Sequence, residues 1–172
     1  MAFDWTELGK RYDAGDLKAL EAHESLLELD SFCEEDARRL GGIITELDRE
    51  YEQPVAIRIV SETDGTELFR HIMEGKSEKN AQYAELKRQA VLRFGHSSAW
   101  AAVEHLVSGK PFSMNEGYIL SGGAFPIRVG GRLAATVAVS GLHEGKDHEL
   151  VVRALSRLAG VPEPAAFPKP LF

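Results

Sequence analysis

Apolar residues recur at steps of three and four over Cys33, Ala37, Leu40, Ile44, Leu47 and Tyr51, with Glu34, Arg38, Arg39, Glu46 and Arg49 between them. This is one apolar stripe of helical period, the kind of face a helix lays on a sheet. Ser31, three residues before Glu34, has capping-box spacing and predicts the helix start. Gly41-Gly42 inside the stripe costs about 1 kcal/mol per glycine relative to alanine, which predicts the close approach of another backbone as compensation. Downstream, Val55 to Glu62 and Thr66 to Met73 are β-branched and apolar runs around Asp64-Gly65, a pair that tolerates the positive φ of a tight hairpin turn. A two-residue turn there sets Val60 opposite Phe69 and Arg58 opposite His71. It also puts Arg58 and Arg70 on opposite faces of two largely buried strands, where each needs a carboxylate or a ligand.

From Ser77 to Gln89 the pattern is helical again, with Ala81, Ala84, Leu86 and Val91 apolar. A second helix, about Ala99 to Val107, follows a break at Arg93-Phe-Gly-His-Ser-Ser98, and Ser108 to Gly117 is turn-rich and reads as a surface loop. Ala124 to Val129, Gly130-Gly131 and Arg132 to Val139 form the clearest hairpin. Pro126 places its strand at an edge or a bulge, since proline cannot donate to a ladder. The last helix opens at Asp147, carries Leu150, Val151, Ala154, Leu155 and Leu158 inward, and stops at Gly160 with Pro162 beyond.

The two ends are less regular. Residues 4 to 25 are polar and weakly helical, and Glu24 to Phe32 suits either a continued helix or a short strand. The tail from Pro162 to Phe172 is extended by its prolines yet ends in apolar residues, which predicts docking, a neighbouring subunit being one place for it. The organisation is therefore a helical lead-in over 1–24, a domain over 25–160 and an extended proline-rich tail over 161–172. Two hairpins and a further strand make an antiparallel sheet whose faces the helices cover, a layered α/β (α+β) sandwich.

Composition narrows the class. At 172 residues the chain has the size of one domain, and its 44% hydrophobic and 27% charged residues are those of a globular protein. No apolar run is long enough for a membrane span, and the acidic start does not read as a signal peptide. A single cysteine, Cys33, rules out an intramolecular disulfide and fits a reducing, cytoplasmic setting. Its place on the apolar stripe predicts a buried, inert thiol. With a net charge of −7, and Arg38-Arg39 and Lys87-Arg88 only isolated basic pairs, nucleic acid is an unsuitable partner.

Three segments could carry chemistry. Arg93, His96, Ser97 and Ser98 precede a helix start, whose free N–H groups favour an anion, with Arg93 as a clamp and His96 as a second donor or metal-type ligand. The structural alternative makes a serine the N-cap and pairs Arg93 with a nearby acid. Ser121-Gly-Gly-Ala-Phe-Pro126 could form an anion nest from Gly122 and Gly123, though it lacks P-loop or dinucleotide spacing and equally serves as a turn. His143-Glu-Gly-Lys-Asp-His148 has its second histidine five places on rather than four, so it is not the zinc-protease pattern, and Asp147 reads as an N-cap.

Val91-Leu-Arg-Phe-Gly-His-Ser-Ser98, Gly122-Gly-Ala-Phe-Pro-Ile127, and Ala138-Val-Ser-Gly-Leu142 running into Asp147-His-Glu-Leu-Val151 occur in that order. Together they resemble the GlcG/HbpS-like, haem-degrading domain family, over about Leu26 to Gly160. The resemblance implies a profilin-like three-layer α/β/α sandwich with a five-stranded antiparallel sheet, in which Leu26 to Leu29 becomes a strand. It also implies a homo-oligomer. Some members of the family bind haem; others act as accessory proteins. Asn80-Ala-Gln-Tyr83 matches a family pattern that more often has tryptophan where Tyr83 stands. Without a Cys-x-x-Cys-His motif any haem is non-covalent, with an axial ligand such as His96 or Tyr118. The leading expectation is an oligomeric module binding a small anionic ligand, haem being one candidate, through Arg93, His96, Ser97, Ser98, Tyr118, Gly122 and Gly123. A scaffold or accessory protein stands second and a haem-degrading enzyme third.

Overall fold

The computed structural model describes residues 4–110, 116–143 and 145–171. In chain order the elements are α1 (Trp5–Gly9), α2 (Ala14–Leu26), α3 (Glu34–Leu47), a 3₁₀ turn, β1 (Ala56–Ser61), β2 (Glu67–Ile72), α4 (Glu78–Phe94), α5 (Ser98–Ser108), β3 (Ala124–Val129), β4 (Arg132–Ser140) and α6 (Lys146–Ala159). The strands form one antiparallel sheet in the order β2-β1-β4-β3. Residues 111–115 of the expected surface loop lie outside the described residues.

Strand side chains alternate between two cores. Ile57, Ile59, Phe125, Ile127, Val137 and Val139 face α3 and α6, whose Leu40, Ile44, Leu150 and Leu155 complete the larger core. On the other face Ala84 and Val91 of α4 meet Ala124 and Ala138. Small residues there let α4 approach the sheet closely. Helix α5 lies beside α4, and α1 and α2 pack on α5, so the layers are helix, sheet, helix.

The sheet has four strands, which corrects the expected five. Helix α2 runs on to Leu26, and Leu29 makes only an isolated parallel bridge to Val129, its N–H donating to the carbonyl of Arg128 at 2.9 Å. Too few residues separate the end of α2 from the cap of α3 for a ladder to propagate. That cap is Cys33, two residues later than expected, with the Asp36 carboxylate accepting its backbone N–H at 2.9 Å. The Cys33 thiol is consequently exposed, not buried.

The first hairpin also differs in register. Ser61 N–H donates to the Thr66 carbonyl, which makes the loop longer than two residues and pairs Ile59 with Phe69, Arg58 with Arg70 and Ile57 with His71. Arg58 and Arg70 therefore share a face. A shift of one residue exchanges every side chain between faces, and a bulge between Ile59 and Val60 adds a further slip. Strand β2 is an exposed edge, and both arginines find carboxylates: Arg58 reaches Glu67 at 2.6 Å and Glu85, and Arg70 reaches Glu78. Pro126 sits in the opposite edge strand, β3, next to a bulge at Ile127/Arg128, as its missing donor requires.

Gly41 is compensated by a ring rather than a backbone. A Cβ there would lie 2.4 Å from the Phe69 ring, whereas a Cβ at Gly42 would meet nothing within 4 Å. Gly41→Ala is expected to destabilise the fold by about 1–3 kcal/mol through overpacking. Gly42→Ala, on the same helix, is expected to stabilise it by about 0.5–1 kcal/mol. Urea unfolding of the two variants beside the parent chain checks both signs.

The tail docks on its own chain. Leu171 is buried with Leu8, Tyr12, Leu20, Ala99, Val103 and Leu106. Lys169 pairs with Asp16 at 2.6 Å and donates to the Arg11 carbonyl, and the Tyr12 hydroxyl donates to the carbonyl of Pro170.

Candidate functional site

The start of α5 already holds a carboxylate, that of Glu24 from α2. Glu24 Oε2 lies 3.2 Å from His96 Nδ1 and accepts the Ser97 N–H at 3.3 Å, while Oε1 accepts from Arg128 at 3.0 Å. His96 stacks on Trp100 with ring centres 3.9 Å apart. Ser97 is the N-cap, accepting the Trp100 N–H, and Ser98 Oγ accepts the Ala124 N–H at 2.9 Å, tying α5 to β3. Arg93 is exposed, over the Tyr118 ring and 3.9 Å from Glu116. The Tyr118 hydroxyl donates to Glu116 at 2.7 Å, and this bond, then burial, raises its pKa. The groove beside His96 is lined by Glu21, Glu24 and Glu28 as well as Arg128, a field that opposes a further anion.

Gly122 and Gly123 belong to a different place. Lys87, midway along α4 and 4% exposed, donates from Nζ to Asp147 Oδ2 at 2.8 Å and to the Val139 carbonyl at 3.1 Å. Asp147 in turn accepts the N–H groups of Leu142, at 3.0 Å, and Gly141. The backbone of Gly123 lies against this pair. Its φ is +135°, and a Cβ would stand 2.5 Å from the Val139 carbonyl oxygen and 2.9 Å from Lys87 Nζ, so only glycine fits. Because its carboxylate is spent here, Asp147 sits in the first turn of α6 and Gly145 takes the N-cap position expected of it.

Two adjoining cavities open over this floor. One, about 390 Å³, is bounded by Ser121, Gly122, Leu142, His143 and the tail residues Pro170 and Leu171. The other, about 340 Å³, is reached past Asn80, Tyr83, Ile119 and Ser140 down to Lys87. The exposed His143 ring stands at the mouth of both and makes no hydrogen bond or ion pair among the described residues. Lys87 escaped the sequence reading. Its signal is a lysine in the middle of the stripe Ala84, Lys87, Val91, where α4 faces the sheet.

A second buried pair lies behind α6. His23 Nε2 is 3.1 Å from the Ala165 carbonyl and Nδ1 is 3.2 Å from His148 Nε2. If His23 donates to Ala165, His148 donates to His23, leaving His148 Nδ1 the buried acceptor without a partner. Burial, then the neighbouring His23, pushes His148 down to about 3, and burial lowers His23 as well. No group of three histidine, cysteine, aspartate or glutamate side chains suited to a metal occurs among the described residues. Nor is any helix among them long and apolar enough to cross a membrane.

A sheet between two helical layers defines a three-layer α/β domain, with a recess over the buried Lys87–Asp147 pair. The chain belongs to the family described as haem degrading protein HbpS-like, whose pattern matches residues 32–156. It is 36% identical over 147 residues to a UPF0303 protein of Streptomyces coelicolor, covering 82% of this chain and 92% of that one. Among solved structures it is similar to the Ybr137w protein, with a TM-score of 0.75, 32% identity, and coverage of 84% of this chain and 87% of that one. The PduOC:heme complex shares the fold at a TM-score of 0.63 and 16% identity, covering 78% of this chain and 99% of that one.

Proposed function

We propose that this protein is a cytoplasmic, homo-oligomeric binding module for a small anionic ligand of the haem class, held non-covalently in the cleft between Ser121–Gly123 and Gly141–His143. The observation that carries this reading is the cleft itself, with a buried Lys87–Asp147 pair as its floor and, at its mouth, the His143 imidazole, which has no partner among the described residues. A buried ion pair is expensive to maintain, and its position beneath an open, preformed recess favours a binding role. The residues fit haem in kind: His143 offers an axial nitrogen, and Leu142, Pro170 and Leu171 an apolar wall. Haem would supply the iron; the chain would supply orientation and charge. Family membership and the haem complex of a protein with the same fold support the ligand class. Gly122 and Gly123 line or underlie the cleft, and Ser98 fixes the backbone that follows them. Arg93, His96, Ser97 and Tyr118 line neither cavity.

The internal pairing of His96, Ser97 and Tyr118 favours a second reading, an accessory scaffold without a small ligand. A haem titration separates the two. The Soret absorbance of the parent chain is expected to saturate at one haem per chain, with affinity at least about tenfold weaker in His143→Ala, the loss of one axial bond, and little changed in His96→Ala. Light scattering on the same samples is expected to report a stable assembly. An assembly without saturable haem uptake establishes the scaffold. Weakening by His96→Ala alone moves the site to the Arg93 loop.

A further inference from the structure

Lys87 has a donor to spare. An ammonium carries three N–H donors, and here two go to Asp147 and the Val139 carbonyl. The third has no partner among the described residues, although Nζ is almost wholly buried and lines the recess. Asp147 balances the charge but not the donors, its carboxylate also accepting the N–H groups of Gly141 and Leu142. Lys76 supplies a second cation to the Gly141 loop, its Nζ donating to the Gly141 carbonyl at 3.2 Å. Asp147 is the only carboxylate on the described wall of this cavity.

We propose that the recess between α4 and the Ser121 and Gly141 loops takes the carboxylate of a ligand, with Lys87 Nζ as its buried donor. Ser121, Ser140 and Asn80, which line the same recess, present hydroxyl and amide groups to the second carboxylate oxygen. Tyr83 and Ile119 offer apolar surface to the body behind it. At about 340 Å³ the recess is near the lower bound of small-molecule sites, which suits a compact carboxylic acid or the carboxylate arm of a larger ligand. A carboxylate also outcompetes a neutral carbonyl there, since bonds between charged groups are about twice as strong as neutral ones. This inference rests on the cleft being the ligand site, and it names the part of the ligand that enters first.

The test uses benzoate and its neutral isostere benzamide as probes, followed by amide and lysine-ammonium NMR on the full chain. Benzoate is expected to bind in the millimolar range or tighter, to shift the signals of Lys87, Tyr83 and Ser121, and to bind at least tenfold better than benzamide. The double variant Lys87→Met/Asp147→Asn, which removes both charges while Asn keeps an acceptor for Leu142, is expected to lose benzoate binding. Equal binding of the two probes, shifts elsewhere, or undiminished benzoate binding by the folded double variant overturns the proposal. If the double variant does not fold, the probe comparison on the parent chain decides alone. Haem titration of the same samples keeps the readings apart: benzoate in the recess without haem uptake sinks only the haem reading, and haem uptake without benzoate selectivity sinks only the role of Lys87.

Discussion

Asp147→Ala is expected to be among the most damaging single substitutions in this chain, costing about 3–5 kcal/mol of unfolding free energy. The variant leaves the Lys87 ammonium buried at 4% exposure with only the Val139 carbonyl for company, and strips the acceptor from the Leu142 and Gly141 N–H groups. Removing one partner of a buried pair costs far more than removing both. Lys87→Met/Asp147→Asn is therefore expected to recover most of the loss, because no buried charge remains. Guanidinium unfolding of the single and double variants gives the coupling directly. If Asp147→Ala lost less than about 1 kcal/mol, the pair would have to be solvated, contrary to its burial.

Acid is expected to weaken the fold through His148. Its pKa is near 3 in the folded chain and 6.5 in its ordinary setting, so the unfolded chain binds the proton more readily between these values. The associated stability is complete above pH 6.5 and drains as the pH falls toward 3. At pH 5 this amounts to roughly 2 kcal/mol, at about 1.4 kcal/mol per unit. Asp48 works in the opposite sense, because burial, then Asp147, lifts it to about 6, and the folded chain gains protons there as the pH drops. The measurement is therefore a difference. His148→Gln keeps an amide for His23 but does not titrate, and Asp48 contributes equally to both chains. The stability of the parent minus that of the variant is expected to fall by about 2 kcal/mol between pH 7 and 5. A constant difference would mean that His148 is hydrated.

Much of this fold is visible in its residues. The stripe of α3, the β3–β4 hairpin and the glycine stop of α6 each rest on contacts within a few positions, and short-range spacing reports those faithfully. Longer-range facts were not legible. The β1–β2 register depends on a turn whose length is set by the Ser61–Thr66 bond, and the fifth strand dissolves because α2 runs on into its residues. The candidate site is further from reach. Lys87 and Asp147 lie 60 positions apart, and Glu24 meets His96 across 72, so nothing in the local pattern reveals which charges will meet. What the residues did offer was type: bare backbone at Gly122 and Gly123 suggested an anion nest or a turn, and Gly123 lies against the ion pair, where a Cβ would stand 2.9 Å from Lys87 Nζ.

The strapped tail has a consequence for how the molecule is made. Leu8, Tyr12 and Leu20, near the beginning of the chain, are sealed by Leu171, one residue from its end. Translation reaches Leu171 only after every strand and helix of the described fold has been made, so this outer cluster is the last of the cores to receive all its members. The wall that Pro170 and Leu171 give the cleft is thus made later than every strand and helix. A chain cut short by a dozen residues keeps every strand and helix named above and lacks that wall, so it carries the full sheet and an open-sided cleft.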